Sequence, residues 1–373
     1  MLDKDIILYG AGTQNLRLAY QMIDAAGLSI RYIVDRDRAK QGKRFWGTEI
    51  ISPEKLVEFD DTAEEYILVI TVRTESTIQE IKESLKGLHR ADVFTFEEIV
   101  IKEKLNSKFI KLNQMQTHVT DHCNLNCVRC SHFAPIAKEF YLDAEEFEKS
   151  VKRLSELLHG ELHEYQLAGG EPLLHPQCYK FPYIVRKYFP KTNIILITNG
   201  TLLCNMENSF FQSCRDNDLQ LWITVYPIGL NFDAIREKLE NERINFVIGN
   251  SGVEGGSEKE MWGLAYHLNG DRSGEKDFEE CFSRCFMLRG SKVYICTQGA
   301  YADILNDHFG LTLPQLKENG VDIFEVSDSG ELMGRLAKKI PFCDYCNPFH
   351  RQPPVPFGIS KREITEWVDT SES

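Results

Sequence analysis

Three cysteines inside eight residues carry the strongest chemical signal in this chain. They are Cys123, Cys127 and Cys130, in the run Thr120-Asp121-His122-Cys123-Asn124-Leu125-Asn126-Cys127-Val128-Arg129-Cys130. The spacing is C-x3-C-x2-C. Thiolates are metal ligands, and three in one loop can each take one corner of a [4Fe–4S] cubane. The fourth iron then stays open to bind a molecule, whereas clusters that only carry electrons are closed by four cysteines. The alternative from spacing alone is a zinc site, with His122 or His132 closing the tetrahedron.

A second group follows: Cys281, Cys285, Cys296, Cys343 and Cys346. The stretch from Cys285 to Cys296 reads as a hairpin turning at Arg289-Gly290-Ser291-Lys292, which brings its two cysteines together. Cys343-Asp344-Tyr345-Cys346 is a tight pair. Four of these five thiols can close a tetrahedral set around zinc or a cluster. Cys178, Cys204 and Cys214 stand alone and read as core or inert thiols.

These residues need a scaffold. Residues 1–105 alternate strands with helices: strands at 6–9, 29–34, 66–71 and 93–95, helices at 14–26 and 75–88. That pattern predicts a parallel, Rossmann-like sheet. After a polar connector at 103–114, a second series begins. Its strands are expected at 116–120, 165–168, 193–198, 220–226 and 245–248. Its helices are expected at 144–158, 179–188, 206–217 and 233–242. Repeated strand–helix units predict a partial (β/α)6 barrel over 110–265, with its site at the carboxyl ends of the strands. The cysteine loop directly follows the first of them. Residues 266–352 are expected to form a small β-hairpin-containing domain around the second cysteine group. Residues 353–373, Pro-rich and then polar, are expected to be a loose tail.

Composition narrows the function. A length of 373 residues suits two or three domains. The formal net charge of −13 argues against a nucleic-acid binder and offers nothing to an anionic membrane. No apolar run is long enough to span a bilayer. The opening MLDKDIILYGAG lacks a secretory signal pattern, so a cytoplasmic location is expected. There, eleven cysteines point to metal rather than disulfides.

The cysteine spacing after a first barrel strand resembles the signature of the radical S-adenosylmethionine superfamily. Gly169-Gly170-Glu171-Pro172, some 40 residues later, matches that family's GGEP motif. The resemblance implies that Cys123, Cys127 and Cys130 are the catalytic cluster ligands and that S-adenosylmethionine binds the open iron. Reductive cleavage then yields a 5′-deoxyadenosyl radical, with a flavodoxin- or ferredoxin-type protein as reductant. The resemblance also implies that Gly169, Gly170, Glu171 and Pro172 bind the methionine amino group, with the Glu171 carboxylate suited to the ammonium. Thr198, Asn199 and Thr224, at later strand ends, would bind ribose and carboxylate. Arg129 replaces the usual aromatic residue before the third cysteine and would stack on adenine.

The second cysteine group resembles the twitch, or shortened SPASM, extension of these enzymes, which holds an auxiliary [4Fe–4S] cluster. Cys296, Cys343 and Cys346 match its ligands; family spacing favours Cys281 as the fourth and hairpin pairing favours Cys285. At the other end, Gly10-Ala11-Gly12 and Asp35 form part of a dinucleotide fingerprint. Residues 5–60 resemble the N-terminal domain of bacterial nucleotide-sugar acetyltransferases. The combination leads to an oxidoreductase or epimerase acting on a nucleotide-activated sugar. A peptide- or protein-modifying radical enzyme is the alternative, and a non-catalytic zinc scaffold is the alternative from another class. Tyr226, Tyr266, His132 and His267 are the residues available to move a substrate proton or hydrogen.

Overall fold

Strand β1 (Ile6–Tyr9) is apolar throughout, and the reason is that both its faces are covered. Ile6 and Leu8 pack with Leu16, Ile23 and Ile99 on one face. Ile7 and Tyr9 pack with Leu56, Ile78 and Ile81 on the other. The structure, a computed structural model, describes residues 4–11, 14–72, 74–108, 110–250, 253–254, 260–270, 272, 274–281 and 284–369. The chain divides into two compact units, residues 1–113 with 279–282, and residues 114–278 with 283–373.

In the first unit, β1 is followed by α1 (Gln14–Ala25), β2 (Ile30–Val34), β3 (Arg44–Phe45), β4 (Thr48–Ile51) and α2 (Pro53–Thr62). Then come β5 (Tyr66–Ile70), α3 (Glu75–Ser84), β6 (Ala91–Thr95) and α4 (Phe96–Glu103). The sheet order is β3-β4-β2-β1-β5-β6, parallel except for β3 against β4. The chain leaves β1 for β2 on one side and returns to β5 on the other, so a crevice opens at the carboxyl ends of β1 and β5. The β3–β4 hairpin was not expected. It turns at Trp46 (φ 45°) and Gly47 (φ 86°), both left-handed as a two-residue hairpin of this type requires; strands this short carry no alternation to read.

The second unit begins with β7 (Gln114–Thr120), α5 (Ala144–Leu157), β8 (Glu164–Gly169), α6 (Lys180–Tyr188) and β9 (Asn193–Thr198). It continues with α7 (Asn208–Asp216), β10 (Leu219–Ile223), α8 (Phe232–Asn241), β11 (Asn245–Asn250), β12 (Val253–Glu254) and β13 (Glu260–Tyr266). After α9 (Gly274–Glu280) come β14 (Met287–Arg289), β15 (Lys292–Tyr294), α10 (Thr297–Phe309), α11 (Leu316–Asn319), β16 (Gly320–Asp322), α12 (Ser329–Leu336) and β17 (Cys346–Pro356). The sheet order is β12-β11-β10-β9-β8-β7-β14-β15-β16. Strands β7 to β11 are parallel neighbours, and β14 joins the edge of β7 in parallel as a sixth.

Two expectations about the later part of the chain are corrected. The hairpin β14–β15 is present, but it is not set apart: Gln116 N donates to Phe286 O (2.8 Å) and Met287 pairs with Gln116 on the edge of β7. An exposed strand edge is satisfied this way. Nor is 353–369 a loose tail. Its start belongs to β17, antiparallel to β13, and Trp367 and Val368 are buried at 2% and 1% exposure. Residues 370–373 lie outside the described residues. No helix among the described residues is long and apolar enough to cross a membrane.

Candidate metal centre

The cysteine loop leaves the carboxyl end of β7, whose residues are all buried. Asn126 (φ 50°) and Arg129 (φ 55°) are left-handed, a conformation uncommon outside glycine that Asn adopts more readily than Arg. Cys127 is buried, and Cys123 and Cys130 are partly so. Burial pushes the Cys123 thiol up to about 11 and raises Cys130 as well. A bound metal reverses that preference, because coordination deprotonates a thiol. Among the described residues, no three His, Cys, Asp or Glu side chains meet closely enough to hold one ion. Three thiols in one partly buried loop are the donor set that a [4Fe–4S] cubane takes, one thiolate to each of three irons.

The Gly-Gly-Glu-Pro turn at the end of β8 braces this loop. A Cβ on Gly169 would lie 2.3 Å from Thr120 O, and one on Gly170 would lie 2.1 Å from His122 O. The glycines let the backbone approach the cysteine loop itself. Gly170 N donates to Thr120 O (2.9 Å), Glu171 N to His122 O (3.0 Å), and Thr120 Oγ1 to Glu171 O (2.9 Å). The Glu171 carboxylate is fully buried and points inward. It accepts from Thr198 Oγ1 (2.6 Å), Asn199 N (2.8 Å) and Leu173 N (3.1 Å). The expected ammonium receptor is thus engaged inside the protein, where three donors compensate its burial. Pro172 opens a short 3₁₀ turn, Pro172–Leu174, capped by Glu171.

The other expected residues divide. The Thr198 hydroxyl is committed to Glu171, while Asn199 Nδ2 reaches Asn124 Oδ1 (2.8 Å) and lies 3.8 Å from Cys123 Sγ. Thr224 N donates to Thr198 O (2.9 Å), joining the ends of β9 and β10. Arg129 Nη1 donates to Pro353 O, so its guanidinium is anchored at β17. His122 Nδ1 accepts from Phe140 N (3.2 Å). His132 is held near Gly169 O (3.1 Å), and burial lowers its pKa to about 3. Asn124 and Thr201 were missed from sequence; Asn124 Nδ2 donates to Thr201 Oγ1 (2.8 Å), completing a polar link from the loop to β9.

Also missed was a buried polar group beside the loop. His118 stacks on Tyr301 (4.1 Å between centroids), and Arg289 pairs with Asp303 (2.7 Å) and lies 3.6 Å from Asp121. His118, Asp121, Arg289 and Tyr301 line a cavity of about 270 Å³. The sequence signal that could have pointed to it is His118 itself, inside the strand that leads into the cysteine loop.

Of the second cysteine group, Cys285 Sγ donates to Gln116 Oε1 (2.9 Å), and burial pushes its thiol up to about 11. Cys285 N donates to Ile295 O (3.3 Å), next to Cys296. Cys296 Sγ caps α10 by accepting from Gly299 N (3.3 Å). Cys346 lies opposite Tyr266 in the β13–β17 ladder, and both Cys346 and Cys296 act on the buried Tyr266 phenol, whose pKa stands well above 10 chiefly through burial. Cys343 lies in the turn Pro341–Tyr345. Cys281 belongs to the other unit, where its carbonyl accepts from Asn106 Nδ2 (2.6 Å). Of the isolated thiols, Cys178 and Cys214 are buried as expected, but Cys204 is exposed.

In the first unit, Gly10 (φ 114°) sits against Thr71: a Cβ there would lie 2.9 Å from Thr71 Oγ1, which donates to Tyr9 O and Gly10 O. Asp35 reaches the glycine turn, accepting from Ala11 N (2.5 Å) and Asp37 N (2.8 Å). Asp35 therefore lies at the glycine turn and is bonded to it. Gly12 lies outside the described residues.

No family model matches the chain. It is 23% identical over 159 residues to GTP 3′,8-cyclase of Nautilia profundicola, covering 43% of this chain and 47% of that protein. It is 34% identical over 99 residues to the same-named protein of Clostridium botulinum, covering 26% and 30%. The chain thus spans about half or less of the length of these relatives. Among solved structures, anSMEcpe with bound AdoMet and a peptide overlaps at TM-score 0.30, with 21% identity over 36% of this chain and 42% of that one. BtrN in complex with AdoMet and 2-DOIA overlaps at TM-score 0.35, with 14% identity over 64% and 94%. The cysteine loop, the Gly-Gly-Glu-Pro turn that braces it and the sequence similarity to GTP 3′,8-cyclases together support placing the chain in the radical S-adenosylmethionine superfamily.

Proposed function

We propose that the chain is a radical S-adenosylmethionine enzyme that oxidises or epimerises a nucleotide-activated sugar. The observation that carries this is the joining of the C-x3-C-x2-C loop to the Gly-Gly-Glu-Pro turn at neighbouring ends of β7 and β8. Cys123, Cys127 and Cys130 would hold the cluster, and when bound it would supply the electron that cleaves S-adenosylmethionine. The chain's own part is to hold the loop: Gly170 and Glu171 tie its entry, and Asn124, Asn199 and Thr201 tie its first cysteine to β9. Cys285, Cys296, Cys343 and Cys346 are the proposed auxiliary ligands; hairpin pairing of Cys285 beside Cys296 favours it over Cys281.

The nucleotide part of the proposal rests on the crevice at the carboxyl end of β1, where Gly10 and Asp35 converge. The name of the GTP 3′,8-cyclases agrees with a nucleotide-bearing substrate. The test is anaerobic incubation of reconstituted protein with reductant, S-adenosylmethionine and a panel of nucleotide sugars. Formation of 5′-deoxyadenosine together with a substrate mass loss of two hydrogens indicates oxidation. Solvent deuterium gained at unchanged substrate composition indicates epimerisation. 5′-Deoxyadenosine formed at the same rate with and without every sugar removes the sugar proposal.

A further inference from the structure

The cysteine loop is held from a second side, by residues more than two hundred positions later. Ser360 N donates to Asn126 O (2.8 Å), and Val128 N donates to Gly358 O (2.8 Å), so Cys127 and Ile359 form an antiparallel bridge. Arg129 N donates to Glu366 Oε2 (3.2 Å), whose other oxygen accepts from Lys361 N (2.7 Å). Trp367 Nε1 donates to Cys130 O (2.9 Å). Four backbone groups of the loop, Asn126 O, Val128 N, Arg129 N and Cys130 O, therefore find partners in one segment. The segment is itself anchored: Tyr266 N donates to Trp367 O (3.0 Å) and Asp369 N to Tyr266 O (2.9 Å). The Trp367 ring lies against Phe133 and Phe309, and Glu366 is 7% exposed.

These contacts fall where the loop is strained. Asn126 and Arg129 are left-handed, and such residues persist only where their surroundings over-determine them. Asn126 O and Arg129 N are both bonded to the late segment. We propose that residues 358–369 form a clasp on the cysteine loop, and that Glu366 and Trp367 are positioning residues for Cys127 and Cys130. The clasp keeps the Cys127 and Cys130 thiols in place before any cluster arrives, pairing the backbone on both sides of Cys127 and bonding the Cys130 carbonyl. Hydrogen bonds around cluster ligands tune the cluster's potential. The metal-free part of this inference stands on geometry alone; the tuning part rests on the proposed function.

The test compares Glu366→Gln, which keeps the side chain's shape, and Trp367→Phe, which keeps an aromatic ring, with the parent. In metal-free, reduced protein, iodoacetamide labelling is read by mass spectrometry at each cysteine. The expected result is a rise of about tenfold in labelling at Cys127 and Cys130, the scale on which one lost hydrogen bond shifts a local opening equilibrium. Cys178 and Cys214, buried elsewhere, should be unchanged and so report that the fold is intact. Equal labelling of parent and both variants overturns the clasp. In reconstituted protein, Trp367→Phe should keep its iron and shift the midpoint potential of the loop cluster; an unshifted potential overturns the tuning role. Enhanced labelling in a protein that takes up no iron leaves the clasp standing and removes the iron–sulfur proposal instead.

Discussion

Glu171 Oε1 accepts a 2.6 Å hydrogen bond from Thr198 Oγ1, and this buried contact joins the carboxyl ends of β8 and β9 beside the cysteine loop. The other oxygen takes Asn199 N, and Asn199 in turn reaches Asn124 within the loop. The acid of the Gly-Gly-Glu-Pro turn therefore organises the centre from inside.

Glu171 makes stability depend on pH. Burial raises its carboxyl from 4.5 to about 7, opposed by the bonds from Thr198, Asn199 and Leu173. Between those values the folded chain keeps a proton that the unfolded chain releases. The contribution is full below pH 4.5 and is lost as pH rises to about 7. Urea unfolding of metal-free parent and Glu171→Gln should show the parent's relative stability falling across that window and levelling above it. A pH-independent difference would contradict the assignment. Glu171→Ala, which strands three donors, should cost about 3 kcal/mol.

Gly170 cannot take a side chain without moving the loop. Its Cβ would meet His122 O at 2.1 Å, a backbone atom. Gly170→Ala should destabilise by about 1–3 kcal/mol and lower iron incorporation. Both are read by urea midpoint and by iron per chain after anaerobic reconstitution; normal values for both would show that the close approach is not needed.

The loop, its brace and the parallel strands were legible because each is local. C-x3-C-x2-C, Gly-Gly-Glu-Pro and the strand–helix alternation are all read within short windows, and β9 falls at 193–198 as expected. The clasp was not legible. Glu366 and Trp367 meet Arg129 and Cys130 only in the fold, and a Pro-rich, polar stretch carries no periodicity that announces burial. The direction of the Glu171 carboxylate was equally hidden, since a motif names a residue type but not its hydrogen-bond partners. The sixth parallel strand, expected within 110–265, comes instead from the later hairpin: β14 pairs with the edge of β7.

Asp35 has two jobs under this account. It holds the glycine turn through Ala11 N and Asp37 N, and it faces the proposed nucleotide crevice. Asp35→Ala should lower stability by about 1–3 kcal/mol and raise the apparent KM for a nucleotide sugar, leaving S-adenosylmethionine binding unchanged. An unchanged KM would remove the nucleotide role.

Cys343 separates the two cysteine groups. Cys343→Ala should still form 5′-deoxyadenosine but yield no oxidised product, because the substrate radical has no electron acceptor. Chromatography of both products checks this; full turnover in the variant would contradict a catalytic auxiliary cluster.

The most direct measurement is electron paramagnetic resonance on anaerobically reconstituted Cys343→Ala/Cys346→Ala protein, with only the loop group intact, reduced before and after adding S-adenosylmethionine. The expected result is a cluster signal that changes when S-adenosylmethionine binds the open iron, and none in Cys127→Ala. Zinc in place of iron, or a loop-cluster signal indifferent to S-adenosylmethionine, would contradict it.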